Sequence, residues 1–206
     1  MSLEGGLGRS EGVVEMAELI YPINVSLDGY IEDERGNLDW SISDDEVFKF
    51  WLDFQRPIGT YLYGRRMYQS MVYWETASAK SGDQPEAMRE FGKIWQAAEK
   101  IVYSRTLQAV SSERTRIERE FDPGAIRRLK ESSEADITIG GPELAGQAMS
   151  AGLIDACHLL VNPIVLGGGK RALPDNLRTR LELLGERRFR SGVVQLYYRV
   201  IGSPAE

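Results

Sequence analysis

The 206-residue sequence has one cysteine, Cys157, and one histidine, His158. No intrachain disulfide can form and no Cys/His cluster has zinc-ligand spacing, so no metal centre is expected. The zinc-deaminase signature is missing too, and no deaminase activity is expected. Cysteine scarcity suits a reducing, cytoplasmic setting. The two residues are neighbours in an apolar, strand-like run, which sends their side chains to opposite faces and argues against a Cys–His dyad. His158 therefore reads as a packed or surface histidine. Apolar runs approaching the roughly 20 residues needed to cross a bilayer are absent, and residues 1–15 lack the basic start and apolar stretch of a signal peptide. A soluble chain with no membrane partner is expected. Positive charge is in deficit, with 25 Lys plus Arg against 31 Asp plus Glu and a net charge of -6. Nothing in that field favours nucleic acid.

The length suits one domain burying roughly 70% of the surface its unfolded chain exposes. Residues 1–16, with Gly5, Gly6, Gly8 and Gly12 and few apolar side chains, read as a flexible tail, and 17–206 as one domain without linker or repeat. Leu19, Tyr21, Ile23 and Val25 alternate as in a strand, inside which Pro22 removes a ladder donor and points to an edge or bulge. Ser43 and Glu46 have the spacing of a capping box, and Val47, Trp51 and Phe54 recur at helical spacing, predicting a helix over about 44–55. A strand over 58–63 runs into Gly64, with a short helix behind it over 65–73. Pro85 opens a helix whose buried face carries Met88, Phe91, Trp95 and Ala98. Strands follow at 101–103 and 114–119, and Asp122-Pro123 starts another helix. A short strand at 137–139 ends in Gly140-Gly141, after which Pro142 opens a helix that Gly152 stops. An apolar strand over 154–165, a turn at Gly167-Gly168-Gly169 and a hairpin of 181–189 with 193–201 complete the chain. The fold class is α/β: a three-layer α/β/α domain, its sheet mostly parallel with an antiparallel C-terminal hairpin.

Three of these strand ends carry candidate chemistry. Gly140-Gly141-Pro142 places a helix N-terminus at the carboxyl end of a strand, where unpaired N–H groups and the helix dipole hold phosphate and glycine permits close approach. The same residues also suit a tight turn with no ligand. Gly64-Arg65-Arg66 sets guanidinium groups at another strand end, able to grip phosphate bidentately or simply to sit in solvent. Ser104-Arg105-Thr106 repeats the pattern after the next strand. Gly167 to Lys170 lacks P-loop spacing and reads as a loop bordering a cleft, or only a turn.

The order Ser26-Leu27-Asp28-Gly29-Tyr30, Gly64-Arg65-Arg66-Met67-Tyr68, residues 101–106, residues 137–144 and Leu166-Gly167-Gly168-Gly169 resembles the dihydrofolate reductase-like superfamily. It is most similar to stand-alone relatives of the riboflavin-biosynthesis reductase domain, over about residues 17–201. The resemblance implies NADPH as cofactor, held by Gly64, Arg65, Arg66, Ser104 and Arg105 on its 2'-phosphate side and by Gly140, Gly141 and Leu144 on its pyrophosphate and nicotinamide side. It places Asn24 and Ser26 near the nicotinamide and starts a mobile loop beside the substrate at Asp28-Gly29, a pair that equally forms a plain turn. Trp40 precedes Asp45 by five residues, the spacing at which dihydrofolate reductases carry their substrate carboxylate. Asp45 is thus a catalytic candidate beside Asp28, although acidic residues at 44–46 also suit a first helical turn.

The chain departs from the family in two places. Met67 stands where folate reductases have a threonine, and the Asp-Pro-x-Leu-x-x-Arg stretch that holds the riboflavin precursor is absent, which leaves the heterocycle open. Trp40, Phe48, Trp51 and Trp74 are candidates for an aromatic pocket wall or for core. The expected activity is hydride transfer to a small heterocyclic substrate, a pyrimidine or pterin, by a cytoplasmic homodimer. The alternative is a nucleotide-binding or sensory domain that keeps the cleft without turnover.

Overall fold

A computed structural model describes residues 16–77 and 85–202; the expected tail lies outside them except for Met16. Along the chain run β1 (Leu19–Ser26), β2 (Tyr30–Glu32), α1 (Asp45–Gln55), β3 (Ile58–Gly64), α2 (Arg65–Met71), α3 (Tyr73–Ala77), α4 (Glu86–Ala97), β4 (Glu99–Tyr103) and β5 (Thr115–Glu118). Then follow α5 (Pro123–Ser132), β6 (Asp136–Gly140), α6 (Pro142–Ser150), β7 (Ala156–Asn162), β8 (Lys170–Arg171), β9 (Leu181–Arg188) and β10 (Val194–Val200). Eight strands form one sheet in the order β5-β4-β3-β6-β1-β7-β10-β9. The first six are parallel, and the β9/β10 hairpin runs antiparallel at one edge. The sequence contains no signal for the small β2/β8 sheet, because its two- and three-residue strands are too short to show a period.

Strand alternation divides the core between two faces. Leu19, Tyr21, Ile23, Leu62, Ile137 and Ile139 pack beneath α5 and α6 through Ile126, Leu144, Ala145 and Ala148. Ile20, Tyr61, Tyr63 and Val102 face the other way, beneath α1, α2 and α4 through Leu52, Tyr68, Phe91 and Trp95. The helices therefore form the outer layers of a three-layer domain. Each fully buried aliphatic side chain in such a core contributes about 1.5–3 kcal/mol relative to exposure. Among the described residues no helix is long and apolar enough to cross a membrane.

Local chemistry corrects three sequence expectations. The cap of α1 is Asp44, whose carboxylate accepts from the Val47 N–H at 2.8 Å, and not Ser43. Glu46 reaches away to the Arg190 N–H and Arg187, so no capping box forms. The strand expected over 154–165 is shorter, because Pro163 removes a donor just after Asn162.

The third correction concerns Pro22, which sits in a central strand and not at an edge. Glu18 O accepts from Ile137 on the β6 side and Leu19 O from Asp155 on the β7 side, so alternation points the Pro22 nitrogen at β6. It has no hydrogen to give. The β1/β6 register ends at Ile20↔Thr138, while β1 stays beside β7 to Ser26↔Asn162 and β6 stays beside β3 to Gly140. Two central strands thus part at their carboxyl ends.

Candidate cofactor and substrate cleft

The parting of β1 and β6 opens a cleft of about 810 Å³. Its walls come from β1 (Tyr21, Pro22, Ile23, Asn24), the β3–α2 turn (Tyr63, Gly64, Arg65, Arg66, Met67) and the β6–α6 turn (Thr138, Ile139, Gly140, Gly141, Leu144). Trp40, Ser41, Ser43 and Lys170 close its rim. A crevice outside the carboxyl ends of parallel strands, where neighbours diverge, is the ordinary ligand site of open α/β sheets.

The two glycine turns lie against each other. A Cβ on Gly140 would stand 3.0 Å from Met67 Cγ and 3.1 Å from Tyr63 Cδ1, closer than side chains ordinarily pack, so any larger residue requires Met67 or Tyr63 to give way. Gly141 has φ of +100°, a conformation that disfavours L side chains, and its Cβ would lie 3.8 Å from Gly64 N. No side chain caps α6. Pro142 has no N–H, and those of Glu143 and Leu144, which line the cleft, have no side-chain cap among the described residues.

Arg65 and Arg66 are exposed on the adjoining turn, and Arg65 Nη1 donates to Thr106 Oγ1 at 3.1 Å. Thr106 thus holds the Arg65 guanidinium. Ser104 and Arg105 do not line the cleft. Ser104 Oγ accepts from the Leu107 N–H at 3.0 Å and shapes the turn, while Arg105 lies 3.8 Å from Glu120, both side chains about four-fifths exposed.

Asn24 lines the wall; its Nδ2 donates to Ser41 Oγ and its Oδ1 accepts from Asn162 Nδ2 at 2.9 Å. Asn162, fully buried, also accepts from the Ile42 N–H at 2.9 Å, tying β7, β1 and the 38–43 loop together. Ser26 lies behind the wall, donating to Asp28 Oδ1 at 2.7 Å and accepting from the Tyr30 N–H. Asp28 also accepts from the N–H groups of Leu166 at 3.0 Å and Gly167 at 2.7 Å. Desolvation pushes its carboxyl up, but the hydrogen bonds from Leu166, Ser26 and Gly167 outweigh it and hold the group down at about 2. Asp45 is exposed on the first turn of α1 and does not line the cleft. The structure thus gathers Asn24, Gly64, Arg65, Arg66, Gly140, Gly141 and Leu144, and leaves Ser26, Asp28, Asp45, Ser104 and Arg105 outside the lining.

The carboxylates that do line the cleft are Glu32 and Glu143. Glu143 accepts from Lys170 Nζ at 2.8 Å, and that hydrogen bond lowers its pKa. The cleft is also lined by the buried Gln55, Tyr61 and Tyr63, which by sequence fall inside a helix and a strand. Their signal was faint: Tyr61 and Tyr63 stand in phase just before Gly64. Of the aromatic candidates Trp40 lines the cleft, whereas Phe48 and Trp74 pack around Phe91 and Trp51 packs against Phe50 and Phe54. His158 is packed among Phe50, Phe54 and Tyr197, and burial lowers its pKa to about 4. Among the described residues no group of three His, Cys, Asp or Glu is arranged to hold a metal ion.

The profile of the RibD C-terminal domain family matches residues 17–195. YyaP of Bacillus subtilis (strain 168), itself described as uncharacterized, is 33% identical over 187 residues, covering 90% of this chain and 96% of that protein. A solved putative riboflavin biosynthesis protein from Shewanella sp. PV-4 superposes with a TM-score of 0.69 at 20% identity, covering 89% of this chain and 98% of that one. A Thermotoga maritima protein, named a diaminohydroxyphosphoribosylaminopyrimidine deaminase/5-amino-6-(5-phosphoribosylamino)uracil reductase, superposes with a TM-score of 0.62 at 17% identity. That match covers 90% of this chain and 57% of the Thermotoga chain. These two structures share the fold.

Proposed function

The chain belongs to the RibD C-terminal domain family, and from that membership we propose that it is an NADPH-dependent reductase of a small heterocyclic substrate. The observation that carries the reading is the double glycine turn, in which Gly140 packs closely under Met67 and Tyr63 and Gly141, at φ of +100°, caps α6 with backbone alone, beside Arg65 and Arg66. Those residues fit a dinucleotide phosphate. The α6 N-terminus with Gly140 and Gly141 takes the pyrophosphate, and Arg65, braced by Thr106, takes the 2'-phosphate with Arg66. NADPH, when bound, supplies the hydride.

The chain's own residues bind, orient and exclude water. Asn24, fixed from both sides by Ser41 and Asn162, presents a rigid polar edge on β1. Leu144 and Ile139 give the nicotinamide end an apolar wall. Asp28, ionised and fully engaged by Ser26, Leu166 and Gly167, acts as the clamp between the 27–30 turn and the glycine loop, not as the proton donor. Water reaching the rim beside Glu32 is the proton source in this reading. A homodimer formed through the exposed edge strand β9 completes it.

Asp28 and Asp45 standing off the cleft favours a second reading, a nucleotide-binding domain without turnover. One experiment separates the two. A thermal shift of the purified chain with NADPH should show stabilisation, about 2.7 kcal/mol at a hundred times the dissociation constant. NADPH oxidation is then followed with a panel of pyrimidines, pterins and quinones. Stabilisation with turnover supports the reductase, stabilisation without turnover on any of the panel supports the binding domain, and no shift at millimolar NADPH removes both.

A further inference from the structure

We propose that Tyr61 and Gln55 form an amide-recognition subsite at the floor of the cleft, the phenol donating to a carbonyl oxygen and the carboxamide oxygen accepting an N–H of one planar ligand. The proposal deepens the reductase reading and relies on it for the identity of the cleft.

Tyr61 on β3 is 1% exposed and Gln55, the last residue of α1, is 8% exposed; both line the cleft. Among the described residues neither the Tyr61 hydroxyl nor Gln55 Oε1 has a hydrogen-bond partner, so they do not bond to each other. Buried polar atoms are almost always partnered, because an unmade bond forfeits hydration with no return. Tyr63 shows that a partner is attainable on this face. Two residues along the same strand and stacked on Tyr61 at 5.5 Å, it accepts from Trp95 Nε1 at 3.2 Å. Phenylalanine at position 61 would fill the same space without an orphan hydroxyl. The hydroxyl is therefore explained by a partner that arrives from the cleft.

The chemistry of that partner follows from what waits for it. Burial pushes the Tyr61 phenol well above its ordinary pKa, so it stays protonated and can donate. Gln55 Oε1 can only accept. A donor and an acceptor on two walls of one pocket complement a neutral amide, with its C=O and N–H. With Gln55 Oε1 facing the ligand, a carboxylate would bring its oxygens against that acceptor without a proton between them. Two sources carry that amide: the carboxamide of the nicotinamide ring, or the lactam edge of a pyrimidine-type heterocycle.

The test uses the full chain with Tyr61→Phe and Gln55→Met, and the probes NADPH, nicotinamide, nicotinate and uracil. Ligand-observed NMR titration of wild type should show nicotinamide or uracil binding and nicotinate much weaker. Each variant should weaken the bound amide by about 2- to 12-fold, the effect of one neutral hydrogen bond. Loss for nicotinamide and NADPH assigns the subsite to the cofactor; loss for uracil alone assigns it to the substrate. Ligand-free Tyr61→Phe should melt at or above the wild-type temperature, since it removes an unsatisfied group. The proposal is overturned if neither amide binds wild type, if both variants keep full affinity, or if ligand-free Tyr61→Phe melts several degrees lower. Failure of NADPH alone to bind wild type removes the reductase reading and leaves the uracil and nicotinamide arms to decide the subsite.

Discussion

Lys170 Nζ lies 2.8 Å from Glu143 Oε1, joining the strand after the glycine loop to the first turn of α6, where the proposed pyrophosphate site begins. The Lys170 side chain is 26% exposed and that of Glu143 84%, so the pair sits at the rim and is screened by water. A carboxylate beside an anion site opposes the anion, and Lys170 masks part of that charge. Glu143→Gln frees the lysine and removes the negative charge. NADPH affinity should rise by about 2- to 5-fold, the scale of one charge at a helix terminus, read by fluorescence titration at low and high salt, with the gain shrinking at high salt. An unchanged affinity at both salt concentrations places the pyrophosphate elsewhere.

Asp28 should report on acid stability. Its folded carboxyl titrates at about 2, below the roughly 3.9 of an unfolded aspartate. The unfolded state therefore binds more protons between those values, and the contribution present above about pH 4 is lost as the pH falls through about 2. Wild type should exceed Asp28→Asn in urea midpoint at pH 7, and the gap should narrow from pH 4 downwards. Hydrogen exchange at the Leu166 and Gly167 amides should quicken in the variant. A gap that stays constant from pH 7 to pH 2 contradicts the clamp.

His158 is the single histidine of the chain, so its imidazole signals are unambiguous. Burial favours the neutral ring and lowers its pKa to about 4, against about 6.5 when unfolded. Between those values the unfolded state carries the extra proton. Stability should thus decline as the pH falls from about 6.5 to about 4 and level off below, as far as this group is concerned. An NMR titration of the folded protein should place the midpoint near 4. A midpoint above 6 means that the ring is solvated and not packed among Phe54 and Tyr197.

Arg65 and Arg105 are equal phosphate candidates by sequence, but of the two only Arg65 lines the cleft. Arg65→Ala should weaken NADPH by about 10- to 150-fold, the worth of a hydrogen bond to a charged group, and barely change NADH. Arg105→Ala should have the smaller effect, because that side chain is solvated beside Glu120. Titration of both cofactors against both variants checks this. Equal losses for NADH and NADPH in Arg65→Ala indicate damage to the fold instead of a lost phosphate contact.

Strand β9 exposes Leu181, Leu183 and Leu184 at the sheet edge, and among the described residues no strand pairs with its outer side. An exposed edge with apolar side chains is a template for pairing. Wild type should run as a dimer in light scattering, and Leu183→Glu should shift it towards monomer while NADPH binding survives. A monomeric wild type removes the dimer.

Much of the fold was legible because its cause was local. The alternation of Leu19, Tyr21, Ile23 and Val25, the Asp122-Pro123 start and the Gly152 stop of α6 act within a few residues, and their elements formed where expected. That Gly64, Arg65, Gly140 and Gly141 stand at strand ends bordering the cleft was legible for the same reason, since a turn is written at the turn. Asp28 and Asp45 were not. Whether a carboxylate faces a cleft depends on what lies opposite, and for Asp28 the partners Leu166 and Gly167 come from far along the chain.

By itself, then, the sequence determined the order of the eight strands of the main sheet and of the longer helices, and the glycine turns that end several of those strands, because backbone sterics and period are properties of neighbouring residues. Tertiary structure alone decided where those strands stand. Placing Pro22 between β6 and β7 turned a strand defect into the opening of a cleft, and packing α1 over β3 left the Tyr61 hydroxyl and Gln55 Oε1 buried on its floor without a partner among the described residues. Hydrogen-bond satisfaction is settled between residues distant in sequence, so no local pattern announces it.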